Sequence, residues 1–196
     1  MAIRRATRNH LRRLCLPEPK LAMPNLKSHV CHPAALEPET LLKNCSERRV
    51  RRSGPGGQHR NKVETAVVLK HEPTGIEAEA NERRSQAENR QVALFRLRVR
   101  LAVEFRTVRS PAAVPSELWR SRCSNGRVLV NPSHPDFPTL LAEALDVLAV
   151  CDFDHAAAAI SLNCTGSQLV KLLKDERSAF ERLNRERVAR GMPRLK

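Results

Sequence analysis

The residues best suited to chemistry form a glycine-rich segment, Ser53-Gly54-Pro55-Gly56-Gly57-Gln58-His59. Three glycines leave the main chain without Cβ atoms and able to adopt backbone angles that other residues avoid. Six basic residues flank the segment: Arg48, Arg49, Arg51, Arg52, Arg60 and Lys62. A bare loop ringed by positive charge suits delivery of one residue into a narrow, phosphate-lined cleft. A flexible surface turn with solvated charges explains the composition equally well.

Two nucleotide-binding motifs do not fit this segment. A P-loop requires Lys and then Ser or Thr after its glycines, whereas Gln58 and His59 follow them here. A dinucleotide-binding GxGxxG loop requires a surrounding βαβ unit, which the flanking sequence does not predict.

A longer stretch, SGPGGQHRNKVETAVVLKHEPTGIEAEANERRSQAENR, closely resembles the GGQ catalytic domain of class-one peptide-chain release factors and of the related rescue hydrolases. The resemblance runs from Arg52 to about Leu101, roughly a quarter of the chain. Beyond the GGQ tripeptide, the matching positions are Asn61, Lys62, Glu64, Pro73-Thr74-Gly75, Arg84-Ser85-Gln86 and Asn89. GGQ alone is a weak signal, but GGQ followed by PTG and RSQxxN at these spacings is specific.

The resemblance implies hydrolysis of the ester that joins a nascent peptide to the tRNA ribose, within the large ribosomal subunit and without a cofactor. Gly56 and Gly57 would hold the loop in a strained, accessible conformation. The backbone N–H of Gln58 would stabilise charge on the leaving oxygen, and its side chain would exclude nucleophiles larger than water. Methylation of Gln58 at N5 is common in the family, so a glutamine N5-methyltransferase is an implied partner.

The implied macromolecular partners are large-subunit ribosomal RNA and peptidyl-tRNA. His59 is expected to belong to the loop scaffold or to bind phosphate, and a general-base role is disfavoured. Arg60 stands where relatives usually have a small apolar residue. The residues predicted to contact RNA are Arg48, Arg49, Arg51, Arg52, His59, Arg60, Lys62, Arg84, Arg182, Arg185, Arg187 and Arg190.

The elements expected to position the loop form a small α+β unit. Val63–Lys70 is β-branched and predicts a strand, with a turn after it and a return strand at residues 76–80. Residues 85–106 contain no Gly or Pro and predict one long helix, although residues 95–101 alternate like a strand. A short helix is expected at residues 37–45 and an exposed loop at residues 47–62.

The C-terminal third is helical in composition, with helices predicted at residues 137–150, 153–162, 165–174 and 177–190. Within it, AAAAISLNCTGSQLVKLL resembles a helix-turn-helix. Ala159 would lie where the helices cross, Asn163 would be the left-handed turn residue, and Thr165 would cap the second helix. Leu162, Leu169 and Leu172 would pack inwards.

Charge and composition indicate the partner class and the organisation. Lys and Arg number 35 against 21 Asp and Glu, a net charge of +14, which favours a polyanionic partner. No apolar run is long enough to span a bilayer, so no membrane partner is expected. We predict a disordered basic arm at 1–30, a GGQ domain with an N-terminal helix at 31–108, a linker at 109–135 and a small all-α domain at 136–196.

Several alternatives stay open at this stage. About 50 residues precede the loop, which favours codon-independent ribosome rescue over codon-dependent termination, although Pro38-Glu39-Thr40 matches a PxT codon-reading tripeptide. A nucleic-acid-binding helix-turn-helix protein with an inactive GGQ loop is the alternative of another class. The compartment is predicted as cytoplasm, or mitochondrial matrix if the Arg-rich start is a transit peptide. We expect a monomer and no metal, because His29, Cys31 and His32 lack zinc-ligand spacing.

Overall fold

A three-stranded antiparallel sheet lies near the start of the described chain. The structure is a computed structural model that describes residues 31–50, 65–110 and 113–196. After a 3₁₀ helix (Pro33–Ala35) and α1 (Pro38–Lys43), the strands follow in the order β1-β2-β3; they are β1 (Cys45–Val50), β2 (Ala66–His71) and β3 (Glu77–Ala80). The central strand is apolar and buried over Ala66–Leu69, a pattern typical of a strand covered on both faces.

The first strand corrects the sequence-based prediction of a loop from residue 47. Residues 47–50 pair with β2, with Arg48 opposite Val68 and Val50 opposite Ala66. The prediction failed because β1 is an edge strand whose residues 46–49 are exposed. An edge strand needs backbone pairing but little apolar surface, and charged side chains on it discourage further strand pairing.

The turn between β2 and β3 forms at the predicted Pro73-Thr74-Gly75. Gly75 has a φ of 71°, a left-handed angle that favours glycine. Its N–H donates to the carbonyl of His71 at 2.8 Å, and the N–H of His71 donates to the carbonyl of Ile76 at 2.8 Å. The hairpin therefore closes where the turn residues are.

One helix, α2 (Gln86–Glu104), covers the sheet and confirms the predicted long helix. Ser85 is its N-cap, and the hydroxyl accepts a hydrogen bond from the N–H of Glu88. Ala93, Leu97 and Leu101 are fully buried at four-residue spacing, and α2 packs against both β2 and β3. Helical periodicity therefore prevails over the strand-like alternation within this segment.

A second helix, α4 (Phe137–Val150), has the predicted bounds and packs against α2. The buried side chain of Arg98 joins the two. Its Nε donates to the carbonyl of Ala34 at 3.0 Å, its Nη1 to the carbonyl of Pro135 at 3.0 Å and its Nη2 to Thr139 Oγ1 at 3.1 Å. Burial lowers the pKa of Arg98 from its usual value.

Two buried carboxylates on α4 hold the connector that follows α2. Asp146 pairs with Arg106 at 2.8 Å and accepts hydrogen bonds from the N–H and hydroxyl of Thr107. Glu143 accepts bonds from the N–H of Ser116 at 2.8 Å and from its hydroxyl at 2.5 Å. Buried carboxylates with several donors favour one defined arrangement of the connector.

The segment assigned to a linker, 109–135, contains two elements that the sequence did not predict in full. They are α3 (Glu117–Arg122) and a hairpin of β4 (Cys123–Ser124) with β5 (Arg127–Val128). Asn125 and Gly126 form its turn with φ values of 50° and 73°, the pair of left-handed angles that two-residue hairpins prefer. From the sequence, the Asn125-Gly126 pair predicts a turn into a short strand at residues 127–131, and the observed strand β5 is shorter.

Three helices complete the described chain: α5 (His155–Ser161), α6 (Gly166–Lys174) and α7 (Arg177–Ala189). The predicted helix-turn-helix features are confirmed. Asn163 has a φ of 52°, and the hydroxyl of Thr165 accepts from the N–H of Gln168 at 3.2 Å. The inward-facing residues are buried, namely Ala159, Leu162, Leu169 and Leu172.

The chain therefore has the predicted α+β fold, a short sheet on a long helix followed by helices. Residues 31–196 form one compact unit, and the predicted domain boundaries at 108 and 136 stay a prediction. The predicted arm at 1–30 lies outside the described residues. No helix in the described ranges combines the length and apolarity needed to cross a bilayer.

Candidate functional site

The glycine-rich segment itself lies outside the described residues. This covers Gly56, Gly57 and Gln58 together with Arg51, Arg52, His59, Arg60 and Lys62. The structure does describe the frame that the segment leaves and enters. The segment leaves β1 after Val50 and enters β2 at Ala66, and these two residues are direct register partners. Its two attachment points are therefore neighbours at one end of the sheet.

Asn89 holds this end of the sheet to α2. Its side chain is fully buried, and its Nδ2 donates to the carbonyl of Thr65 at 2.7 Å and to the carbonyl of Arg83 at 2.9 Å. Its Oδ1 accepts from the N–H of Arg83 at 2.8 Å. One amide thereby satisfies three backbone groups from two separate segments. It fixes the residue before β2 against the connection that carries Arg84.

The PTG turn lies at the other end of β2, and its role is structural. The strand separates the turn from the point where the glycine-rich segment joins β2 by roughly 17 Å, since its six residues are linked by five steps of about 3.3 Å each. His71 is buried there, and its Nδ1 lies 2.8 Å from the hydroxyl of Thr74. Burial lowers the pKa of His71, partly opposed by Glu72. The two matching motifs thus fall at opposite ends of one strand.

The basic residues near the frame differ in their pairing. Glu47 accepts a 2.7 Å bond from Arg90 on α2 and lies 3.9 Å from Arg49. Arg48 and Arg84 are exposed and make no ion pair with any carboxylate among the described residues. Because adjacent residues of a strand point to opposite faces, Arg48 faces away from Glu47 and α2. Arg48 and Arg84 are therefore available to an external anion.

The four C-terminal arginines predicted to contact RNA occupy different environments. Arg187 is buried and donates to the carbonyls of Phe153 and Pro193 at 2.9 and 3.1 Å. Arg182 donates to the carbonyl of Val103 at 2.7 Å, at the end of α2. The other two are on the surface: Arg185 is exposed, and Arg190 pairs with Glu186 and stacks over Phe153. The structure does not bring the four to one surface.

Three of the cysteines in the described ranges are poorly suited to act as nucleophiles. Burial raises the pKa of the Cys164 thiol to about 11 and also raises those of Cys45 and Cys123. These thiols are therefore protonated near neutral pH and weakly nucleophilic. No cluster of His, Cys, Asp and Glu in the described ranges could hold a metal ion.

Sequence reasoning singled out Asn89 as a matching position but did not find its partners. Thr65 and Arg83 contribute only backbone groups, so their side-chain types carry no signal. The pairing of Glu47 with Arg90 was also missed, because the two are 43 positions apart. A buried Asn early in an otherwise apolar helix face is the signal that could have indicated a polar clamp.

Comparison with known proteins finds a family model that matches this frame. Residues 40–123 match the family model described as the RF-1 domain. This span contains the whole sheet, α2 and α3, so it extends beyond the glycine-rich segment on both sides.

Individual relatives each match about a quarter to a third of the chain. Peptide chain release factor 1 of Malacoplasma penetrans is 46% identical over 69 residues, which is 34% of this chain and 19% of that protein. An uncharacterized peptide chain release factor-like mitochondrial protein of Saccharomyces cerevisiae is 47% identical over 57 residues, 29% of this chain and 37% of that protein. Peptide chain release factor 2 of an Acidovorax strain is 57% identical over 51 residues, which is 26% of this chain and 14% of that protein. The chain thus spans little more than a third of these relatives' length at most.

Proposed function

We propose that this protein hydrolyses the peptidyl-tRNA ester on the ribosome, and that it does so without reading a codon. The premise is that residues 40–123 match the RF-1 domain and that the matched relatives are peptide chain release factors or release factor-like proteins. The product pair would be a free nascent chain and a deacylated tRNA. The proposed setting is rescue of a stalled ribosome.

The observation that carries the proposal is the frame below the glycine-rich segment. The register of Val50 with Ala66 brings the ends of the segment together, and Asn89 ties the second end to α2. A frame of this kind restricts the positions that Gln58 can sample relative to the sheet. Restricting them in advance lowers the entropic cost of bringing one amide to a reacting ester.

In the proposed chemistry, water attacks the ester carbonyl and the bond to the ribose oxygen breaks. The backbone N–H of Gln58 donates to that oxygen as negative charge develops, and a proton from water completes the ribose hydroxyl. A donor of this kind contributes about 3–4 kcal/mol in other enzymes. The Gln58 side chain excludes larger nucleophiles, so water is the acceptor of the peptide.

Codon independence is supported by the position of Pro38-Glu39-Thr40. These residues form the first turn of α1, a six-residue helix that adjoins β1 of the small sheet. Pro at the first helical position and an acidic residue in the first turn are both common at the N-termini of helices. The PxT match is therefore explained by helix initiation rather than by codon reading.

The proposed RNA-binding surface comprises the exposed arginines Arg48, Arg49 and Arg84, together with the basic residues of the glycine-rich segment. Large-subunit ribosomal RNA and peptidyl-tRNA are the proposed partners, and a glutamine N5-methyltransferase would modify Gln58. The protein would act as a monomer in a bacterial-type cytoplasm or in mitochondria. The family's bacterial and mitochondrial relatives support both settings.

A release assay tests the proposal. Ribosomes carrying labelled peptidyl-tRNA are prepared on an mRNA that ends in the P site and on one with a stop codon in the A site. We expect release on the truncated mRNA at least as fast as on the stop codon, and loss of release in Gln58→Ala. Release only with stop codons would instead establish codon-dependent termination.

Gln91→Ala is the matched control, because Gln91 is another glutamine of the same domain and lies exposed on α2. Its release rate should equal that of the unmodified protein. An absence of release by every form of the protein, including protein methylated at Gln58, would contradict the proposed activity.

A further inference from the structure

A groove of about 360 Å³ lies beside α6. Its polar lining consists of His155, Ser167, Lys171, Lys174 and Lys196. These residues come from the start of α5, from the exposed side of α6 and from the C-terminal segment. The groove is therefore built by tertiary structure and not by one basic stretch of sequence.

The helix-turn-helix geometry determines which residues of α6 face the groove. Leu169, Leu172 and Leu173 are buried, which turns Lys171 and Lys174 outward on the same side. Residues three apart on a helix lie about 5–6 Å from one another, so the two ammonium groups share one face. Ser167 lies in the first turn of α6, where backbone N–H groups lack helical acceptors.

Buried side chains hold the C-terminal segment against the other wall of the groove. Asn184 is 2% exposed; its Nδ2 donates to the carbonyl of Leu195 at 3.2 Å, and its Oδ1 accepts from the N–H of Leu195 at 2.7 Å. The buried Arg187 donates to the carbonyl of Pro193 at 3.1 Å. These bonds place Lys196 beside α6 instead of leaving it on a free tail.

Three lysine side chains line the groove. No ion pair joins Lys171, Lys174 or Lys196 to a carboxylate within the described residues. Lys174 instead lies 5.4 Å from the ring centre of Phe180. Three like charges around one groove repel one another, and the N-terminal end of α6 adds further positive potential. An anionic ligand would relieve this repulsion.

We propose that this groove binds the phosphodiester backbone of RNA and gives the helical part its own contact with the ribosome. This inference rests on the proposed function, which supplies RNA as the partner. Lysines, a hydroxyl and free helix N–H groups are the donors that contact phosphate oxygens. No Phe, Tyr or Trp lines the groove, so it lacks the large stacking surfaces of sites that bind bases and is suited to contacts with the backbone.

The test measures binding of the full chain to a fluorescein-labelled, mixed-sequence single-stranded RNA of roughly 20 nucleotides, longer than a typical single-domain site. The double variant Lys171→Gln, Lys174→Gln should bind at least tenfold more weakly. The slope of log affinity against log salt concentration should be shallower by about one to two. A variant that contacts fewer phosphates releases fewer counterions when it binds. The matched control is Lys43→Gln, Lys70→Gln, which removes two exposed lysines on α1 and β2; equal weakening by both pairs overturns the proposal.

A second variant tests the groove with a substitution that is expected to leave the fold stable. Ser167→Asp adds a carboxylate to the first turn of α6, which favours the helix while repelling phosphate. It should keep the melting temperature and lose RNA affinity. Unchanged affinity overturns the proposal. Competition by polyglutamate as effective as competition by unlabelled RNA would likewise overturn an RNA-specific site in favour of an acidic protein ligand.

The experiments distinguish failure of the RNA-binding groove from failure of the proposed function. Gln58→Ala should keep wild-type RNA binding, whereas the double lysine variant should raise the protein concentration needed for half-maximal release. If no form releases peptide but RNA affinity still depends on Lys171 and Lys174, only the proposed function fails. If release succeeds and the lysine variant binds RNA like its control, only the groove fails.

Discussion

Asn89 donates a 2.7 Å hydrogen bond from its side-chain amide to the carbonyl of Thr65, the residue directly before β2. The same side chain also donates to the carbonyl of Arg83 and accepts a hydrogen bond from the N–H of Arg83. The beginning of α2 and the end of the glycine-rich segment are therefore coupled through one buried amide. Asn89 acts as a positioning residue, since it bonds to the frame and not to the reacting ester.

Asn89→Ala should reduce the free energy of unfolding by about 2–4 kcal/mol, because buried backbone groups lose their partners at about 1–3 kcal/mol each. Urea unfolding measures this. The release rate at saturation should also fall at least tenfold, while the protein concentration at half-saturation stays unchanged. A lower saturating rate with an unchanged half-saturation concentration indicates a loosened loop, whereas weaker ribosome binding would raise the half-saturation concentration.

Ser85→Ala is the control for general damage to α2. It removes the N-cap of the same helix, at a cost of about 1 kcal/mol, but leaves the Asn89 bonds in place. Its saturating release rate should stay near wild type. If Ser85→Ala slowed release as much as Asn89→Ala, stability rather than positioning would explain both.

Arg48→Gln and Arg84→Gln should each weaken ribosome binding and reduce its salt dependence. Both side chains are exposed without a carboxylate partner among the described residues, so a phosphate contact is their natural interaction. We expect the log–log salt slope to fall by about one for each. Arg100→Gln is the control, because Arg100 already bonds to Glu104 at 3.0 Å. Pelleting of ribosomes at several salt concentrations measures the slopes.

His32 should make the protein less stable in mild acid. Its Nδ1 accepts from the N–H of Ala34 at 3.0 Å and its Nε2 lies 3.2 Å from the carbonyl of Phe105, an arrangement that requires the neutral ring. Burial lowers its pKa below the usual 6.5, partly opposed by Asp146. The unfolded chain then binds a proton before the folded one does. The contribution to stability is therefore complete above about pH 6.5 and declines as the pH falls towards the lowered folded pKa.

Urea unfolding between about pH 7.5 and about pH 5 measures this decline. His32→Asn supplies a similar acceptor for the N–H of Ala34 but does not titrate, so its stability should depend less on pH. His71 has a pKa lowered in the same direction, so part of the decline should remain. An identical pH profile for the variant and the wild type would rule out His32 as the source.

Asp146→Ala should destabilise the fold by about 3 kcal/mol, measured by urea unfolding. The substitution leaves the guanidinium of Arg106 largely buried without its carboxylate, and breaking one side of such a pair is costly. Burial already lowers the pKa of Arg106 to about 10, which shows how strongly the site disfavours an uncompensated charge. Glu117→Ala, at a side chain 96% exposed, should change stability by less than about 0.5 kcal/mol.

The features that were predictable from sequence depend on a few adjacent residues. The bounds of α4 follow from helical periodicity, and the left-handed angle at Asn163 and the cap at Thr165 follow from local side-chain chemistry. The long α2 follows from an uninterrupted stretch without Gly or Pro. Each is set by energies that act within one or two turns of chain, so the local sequence suffices.

Only the tertiary structure decided the roles that depend on distant backbone groups. Residues 47–50 became a strand because β2 supplies their hydrogen-bonding partners. Arg187, predicted to contact RNA, is buried because carbonyls of Phe153 and Pro193 surround it, and Lys196 joins Lys171 because Asn184 holds the C-terminal segment. Side-chain type states what a residue is able to bond, but which carbonyl or charge it meets depends on how segments far apart in the chain pack together.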